Sequence, residues 1–219
     1  MEENLLPLFP LEMVLLPEEP LPLHIFEDRY KTMIGECLQA KAAGKVEQEF
    51  GVVLLKGQAL SAVGCTARII NLTRQYEDGR MDILTVGKRR FEILLTHQER
   101  PYLQGAVEYF EDEGPDAPSD EAAELAIARF REAMRKLRHA AEMPVHLPRP
   151  YRYLSFRIAA SLPLDLKFKQ QLLTLRNEPE RLTLVLRAIE ILMNQLDHAH
   201  KSRNKAGGNG HLRHGRFQI

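Results

Sequence analysis

Reactive side chains are few in this chain, and their spacing suits covalent or phosphate chemistry poorly. A serine nucleophile needs a base beside it and a tight, glycine-lined turn that exposes its hydroxyl. The serines are Ser61, Ser119, Ser155, Ser161 and Ser202, and none sits in such a turn. Ser119 reads instead as a helix cap and Ser155 as a helix-face residue. Cys37 and Cys65 lack metal-ligand spacing and could form a thiol dyad only with a distant His24 or His97. Two ordinary buried thiols in a reducing compartment are the expectation. A phosphate-cradling loop requires a glycine, four residues, then Gly-Lys and a hydroxyl. Gln39 stands in the first-glycine position before Gly44-Lys45-Val46, and Asp82 stands there before Gly87-Lys88-Arg89, so neither Gly-Lys pair qualifies. His198, His200, His211 and His214 are loosely spaced, with no Cys or carboxylate cluster beside them. No catalytic residue, no cofactor and no metal are expected.

Recognition is what remains, and it needs a frame. A chain of 219 residues that is 44% hydrophobic can bury a sizeable core, as one large or two small domains. Its net charge of zero argues against a generic nucleic-acid binder. The distribution is uneven: residues 1–118 hold 12 Lys+Arg against 20 Asp+Glu, and residues 119–219 hold 18 against 10. Oppositely charged halves of this kind dock on one another or are solvated separately. The first residues are acidic, the apolar run after them is cut by prolines, and no unbroken apolar run approaches 18 residues. The expectation is a cytoplasmic chain with no membrane partner.

Leu5 to Tyr30 holds Pro7, Pro10, Pro17, Pro20 and Pro22 between short runs of Leu, Val, Ile and Phe. Proline cannot donate to a central ladder and disfavours helix at the residue before it, so this stretch predicts short extended pieces at edges and bends. Tyr30, Met33, Ile34, Cys37 and Leu38 then mark a helix over 28–43, with Gly44 as its stop. Strand patterns follow at 50–55, 64–72 and 69–76, at 81–86 and 90–95 on either side of Gly87, and at 102–110. Asp78-Gly79 is a hairpin turn signal, and Gly87 is read as the end of a strand. Short strands at near-regular spacing predict a mostly antiparallel β-barrel over 1–112 with one inserted helix, an α+β arrangement.

Residues 113–118 are rich in acids and breakers and read as a linker. Residues 119–199 read as a helical bundle domain: a helix capped by Ser119, a shorter one around 151–161, another over 165–175, and a last one opened by the capping box Asn177-Glu-Pro-Glu180. Residues 200–219 have no apolar stripe and read as a polar tail.

The opening segment closely resembles that of the substrate-binding N-terminal domain of Lon proteases, whose signature runs LPLFPL, then VLxP, then LPLxIFExRY. Here those elements are Leu6 to Leu11, Val14 to Pro17 and Leu21 to Tyr30. The resemblance continues in GVVLL at 51–55, GCTARI at 64–69, VGKRRFEI at 86–93 and PYLQGAVE at 101–108. It implies a PUA-like barrel that helps select unfolded or tagged polypeptides. The ATPase and Ser-Lys peptidase modules of that family have no counterpart among the motifs above. The reading is therefore a stand-alone, non-catalytic polypeptide-binding module, an adaptor or quality-control protein whose partners are unfolded or apolar segments and a protease or chaperone. Candidate contact residues are His24, Phe26, Arg29 and Tyr30 from the opening and Arg89, Arg90 and Phe91 from VGKRRF, since aromatic and Arg side chains dominate binding hot spots. Phe26 and Phe91 also suit a barrel plug, and Glu27 with Arg29 or Arg90 suits an internal ion pair. The alternative is an RNA-binding PUA-like barrel using Arg129, Arg131, Arg135, Lys136 and Arg138, against which stand the acidic barrel half and the lack of a stacking pair.

Overall fold

Strand β1 (Leu6–Leu11) is the seam of a closed barrel. In this computed structural model, which describes residues 5–42, 49–115, 117–138, 149 and 151–208, β1 runs parallel to β3 (Glu49–Lys56), with Leu8 opposite Gly51. Its first residues run antiparallel to β7 (Gln104–Phe110), with Leu6 opposite Gly105. Each stretch of β1 thus has a single neighbour in register, which is how a strand carrying Pro7 and Pro10 can sit in a closed sheet. The ring is completed through β5 (Val63–Gln75) and β6 (Met81–His97), in the order β1-β7-β6-β5-β3. Strand β2 (Pro20–Ile25) lies along the first part of β6, and the short β4 (Ala59–Leu60) pairs with β3. Among the described strands only the β1–β3 pairing is parallel, so the expected mostly antiparallel barrel is what forms.

The Asp78-Gly79 turn joins β5 to β6, with Gly79 at φ 82° and Tyr76 N donating to Arg80 O at 2.9 Å. Gly87 does not end a strand: β6 passes straight through it. A Cβ at this position would stand 2.1 Å from the Leu16 carbonyl oxygen, and Gly87 N donates to Glu19 O at 2.9 Å. Glycine is there to admit the incoming β1–β2 loop against the strand.

Leu6, Leu8, Val53 and Phe91 form a buried core cluster, joined by Ile93, Leu103 and Val107. The tip of the Phe91 ring lies 2.5 Å from where a Cβ would stand at either Gly51 or Gly64, so those two glycines form the slot that holds it. Helix α1 (Asp28–Ala42) buries Tyr30, Met33, Ile34 and Cys37, a stripe with helical spacing. Tyr30 meets Phe9 at 4.1 Å between ring centroids. Burial pushes the Cys37 thiol up to about 12 and raises Cys65 as well, so neither is a nucleophile at neutral pH.

The contacts divide the described chain into one unit of Met1–Pro118 with Leu147–Leu182 and another of Ser119–His146 with Thr183–Ile219. The sequence division between barrel and helices near residue 119 does not follow this line. Helices α3 (Leu154–Ala160), α4 (Leu166–Thr174) and the first turn of α5 (Glu178–Gly208) belong with the barrel. The reason is a buried charge cluster (side-chain exposure: Arg90 3%, Asp112 2%, Glu178 and Arg181 0%). Arg181 donates to Asp112 Oδ1 at 2.6 Å and to Glu178 Oε2 at 2.7 Å, and Arg90 donates to Asp112 Oδ1 at 2.5 Å and to the carbonyls of Leu173 and Leu175. Glu178 accepts from the backbone N and the hydroxyl of Ser155 at 2.8 and 2.6 Å. Burial raises the Asp112 carboxyl, but the hydrogen bonds and charges of Arg181 and Arg90 outweigh it and hold the group below its ordinary value. At Glu178 burial wins, and its carboxyl is raised. Asp112, the last residue of the expected barrel span and next to the linker at 113–118, is a buried fastening point.

In the second unit, α2 (Asp120–Arg138) is capped by Ser119 Oγ, which accepts from Ala122 N at 3.3 Å. It buries Ala123, Ala126, Ile127, Phe130 and Ala133, while α5 contributes the buried Val185 and Ile189. Helix α5 continues to Gly208, past the expected boundary at 199, because His200–Ala206 contains no glycine or proline to stop it. Gly44, His211 and His214 lie outside the described residues.

Candidate functional site

The most chemically concentrated exposed surface is the corner where β2 turns into α1. β2 ends at Ile25 and α1 begins at Asp28, so Phe26 falls in the connection, 60% exposed. Register places His24 opposite Asp82 on β6, and Asp82 opposite Arg74 on β5. His24 Nδ1 lies 2.5 Å from Asp82 Oδ1, and the Tyr76 hydroxyl donates to Asp82 Oδ2 at 2.8 Å. Those two hydrogen bonds hold the Asp82 carboxyl below the usual carboxylate range. Phe26 stacks on His24 at 6.1 Å between centroids, and Tyr76 meets His24 edge-on at 5.9 Å. The guanidinium groups of Arg74 and Arg80 cover the Tyr76 ring at 4.5 and 4.9 Å. The result is an aromatic trio, His24, Phe26 and Tyr76, locked by Asp82 and edged with cations. It can offer apolar and π surface to a ligand. No serine or cysteine among the described residues bonds to His24, so the His24–Asp82 pair lacks a nucleophile to activate.

The seven expected contact residues do not form one surface. His24, Phe26 and Arg29 share this corner, Arg29 lying over the Tyr30 ring at 4.5 Å and donating to Glu27 at 2.9 Å. That ion pair is exposed, not the internal fastening expected of Glu27. Arg89 lies roughly 20 Å farther along β6 by strand rise. There its Nε donates to Glu49 Oε2 at 3.1 Å and its guanidinium covers Tyr109 at 4.0 Å. Tyr30, Arg90 and Phe91 are only 5%, 3% and 0% exposed and are unavailable to a ligand. Phe91 points into the barrel, while Arg90 points outward but is covered by the segments around α3, α4 and the start of α5. Of the two proposed plugs, Phe91 is one and Phe26 is not.

Tyr76, Asp82, Arg74 and Arg80 were absent from the sequence-derived candidates. The signal for them was present: once Asp78-Gly79 makes a hairpin, residues just before and just after it must be cross-strand neighbours. The basic residues of the RNA alternative are partly committed elsewhere, Arg129 to Glu132 at 3.3 Å and Lys136 to Asp197 at 2.8 Å. Among the described residues there is no group of three or more His, Cys, Asp or Glu able to hold a metal ion, and no helix long and apolar enough to cross a membrane.

A profile of the ATP-dependent protease La (LON) substrate-binding domain matches residues 5–190. The chain is 31% identical over 216 residues to the Lon protease of Anaeromyxobacter dehalogenans, covering 90% of this chain and 25% of that protein. It is 26% identical over 208 residues to the Lon protease of Flavobacterium johnsoniae, covering 88% and 24%. It therefore spans about a quarter of the length of these relatives. The structure resembles a Lon N-terminal domain protein from Xanthomonas campestris, with a TM-score of 0.64, 26% identity, and 84% and 98% of the two chains covered. The N-terminal domain of the Mycobacterium avium complex Lon protease shares the fold at a TM-score of 0.61 and 20% identity, with 85% and 98% covered. With a barrel of this topology and a profile match over most of its length, the chain belongs to the family of Lon substrate-binding domains.

Proposed function

We propose that this chain binds apolar polypeptide segments at the His24–Phe26–Tyr76 corner without cleaving them, and hands them to a separate protease or chaperone as an adaptor. The observation that carries the reading is the position of Phe26. A large aromatic ring held 60% exposed on a hydrogen-bonded His24 gives up water readily when an apolar side chain covers it. The cations over Tyr76 add attraction for aromatic and carboxylate groups of a bound segment. Among the described residues nothing at the corner forms a nucleophile–base pair, which supports binding without hydrolysis.

The chain contains no tryptophan, so a peptide carrying one reports binding without background. Titrating the protein into an apolar Trp-containing peptide should shift its emission to the blue, and Phe26→Ser should weaken binding at least about fivefold. A polar scrambled peptide should give no shift, and no cleavage should occur with or without ATP. Equal binding by Phe26→Ser, or no binding by the unmodified chain, would overturn the reading.

A further inference from the structure

The outer face of β6 and β7 carries a second surface, about ten residues along β6 from Asp82. Phe91 and Ile93 point inward to the core cluster with Val107, so Glu92 and its neighbours on the same side point out. One outward rung, Arg90 opposite Phe110, is covered. The next two are bare. Glu92 stands directly opposite Glu108, both exposed, and neither carboxylate has a hydrogen-bond or ion-pair partner among the described residues. The register then slips by one at Leu94, as at a β-bulge, before Leu95 pairs with Ala106. The slip leaves Leu94 and Leu95 exposed at 59% and 65%.

Both features are unfavourable in an uncovered sheet. Like charges directly opposite on neighbouring strands repel, and two consecutive exposed leucines hold apolar area in water. A single kind of occupant relieves both. A cation seated between the two carboxylates offsets their repulsion, and a large apolar side chain roughly 7 Å away along the strand, two residues on, covers Leu95. Two carboxylates alone are too few oxygens for a calcium or magnesium site. A polypeptide carrying Lys or Arg beside a large apolar residue supplies both parts at once.

We infer that the Glu92, Glu108, Leu94 and Leu95 face docks a polypeptide segment in which a basic side chain neighbours a large apolar one. The surface is separate from the Phe26 corner, and the two are tested apart by their ligands. The probe is a twelve-residue peptide with Leu and Lys at alternate positions and one Trp, compared with a version carrying Glu in place of Lys.

In the Phe26→Ser background, which weakens the corner, the Lys peptide should bind, with affinity falling as salt rises, and the Glu version should bind at least about tenfold more weakly. The double variant Glu92→Gln with Glu108→Gln should lose at least about fivefold for the Lys peptide. Leu94→Ser with Leu95→Ser should lose a similar amount in the same background. All these side chains are exposed, and matching circular dichroism would confirm that the variants are folded. No binding of the Lys peptide in that background, or equal binding by the Gln variant, would overturn the inference, the first by assigning all binding to the corner. Self-association in sedimentation that the Gln variant abolishes would also overturn it, because the occupant would then be a second copy.

Discussion

Two clusters of aromatic and charged side chains in the barrel unit are built from nearly the same parts and behave in opposite ways. Arg90, Asp112, Glu178 and Arg181 lie among Phe110 and Phe156, and His24, Asp82, Arg74 and Arg80 lie among Phe26 and Tyr76. In the first, every charge is withdrawn from water and satisfied by a partner. In the second, one carboxylate is fastened and the apolar ring beside it is left exposed. Composition does not separate a fastening from a recognition surface; coverage does. Three helical segments returning from more than 40 residues downstream seal the first cluster, whereas Phe26 in the second stays 60% exposed.

The sharpest way to break this contrast is Arg181→Ala. It leaves the buried Asp112 with Arg90 alone and the buried Glu178 with Ser155 and no cation of its own, and urea unfolding should show a loss of about 3–5 kcal/mol. If the loss were no larger than at an exposed site, the cluster would not be a fastening. Gly64→Ala should follow at roughly 1–3 kcal/mol, because its Cβ would meet the Phe91 ring at 2.5 Å and the Val52 carbonyl at 2.7 Å. Thermal unfolding measures it, and a neutral result would show that Phe91 has room to shift.

Acid should act more gradually. At Glu49 burial raises the carboxyl, but the Thr66 hydrogen bond and the Arg89 and Arg68 interactions outweigh it and hold it below its ordinary value of 4.5, as Asp112 is held below 3.8. A carboxyl depressed on folding contributes stability above its unfolded value, and that contribution is lost as pH falls through the folded value. Glu178, raised by burial, works in the opposite sense and recovers part of the loss. Unfolding free energy should therefore rise slightly as pH falls through the raised Glu178 range and then decline below about pH 4, with a shallower decline in Glu49→Gln. The smallest effect on stability belongs to the exposed corner: Phe26→Ser and His24→Ala should each stay within about 0.5 kcal/mol while peptide affinity drops.

Signals that act within three residues could be read directly from the sequence. Asp165 accepts from Phe168 N at 2.9 Å and Asn177 from Glu180 N at 3.0 Å, both as helix caps, and Asp78-Gly79 forms its hairpin. The barrel was legible too, because alternation and turn spacing recur along the first 110 residues. What escaped was set by partners far away in the chain. Gly87 looks like a strand end until the Leu16 carbonyl arrives against it. Asp112, the last residue of the barrel span and next to the linker pattern, carries no local sign of burial until Arg181, 69 residues on, pairs with it. Arg90 and Phe91 belong to one motif, yet opposite sides of one strand send Phe91 into the core and Arg90 beneath returning helices.

The closing seam also imposes an order in time. Strand β1 is among the first parts of this segment to be synthesised, but it has no neighbour until β3 exists and no second neighbour until Gln104–Phe110 does. The charge cluster must wait longer, for Arg181. At ordinary translation rates of about 5–20 residues per second, the interval between Leu11 and Arg181 lasts on the order of ten to thirty seconds. In its first part, until Glu49–Lys56 has emerged, a leucine-rich strand is held unpaired on the nascent chain. A chain proposed to bind apolar segments thus spends its own first moments presenting one.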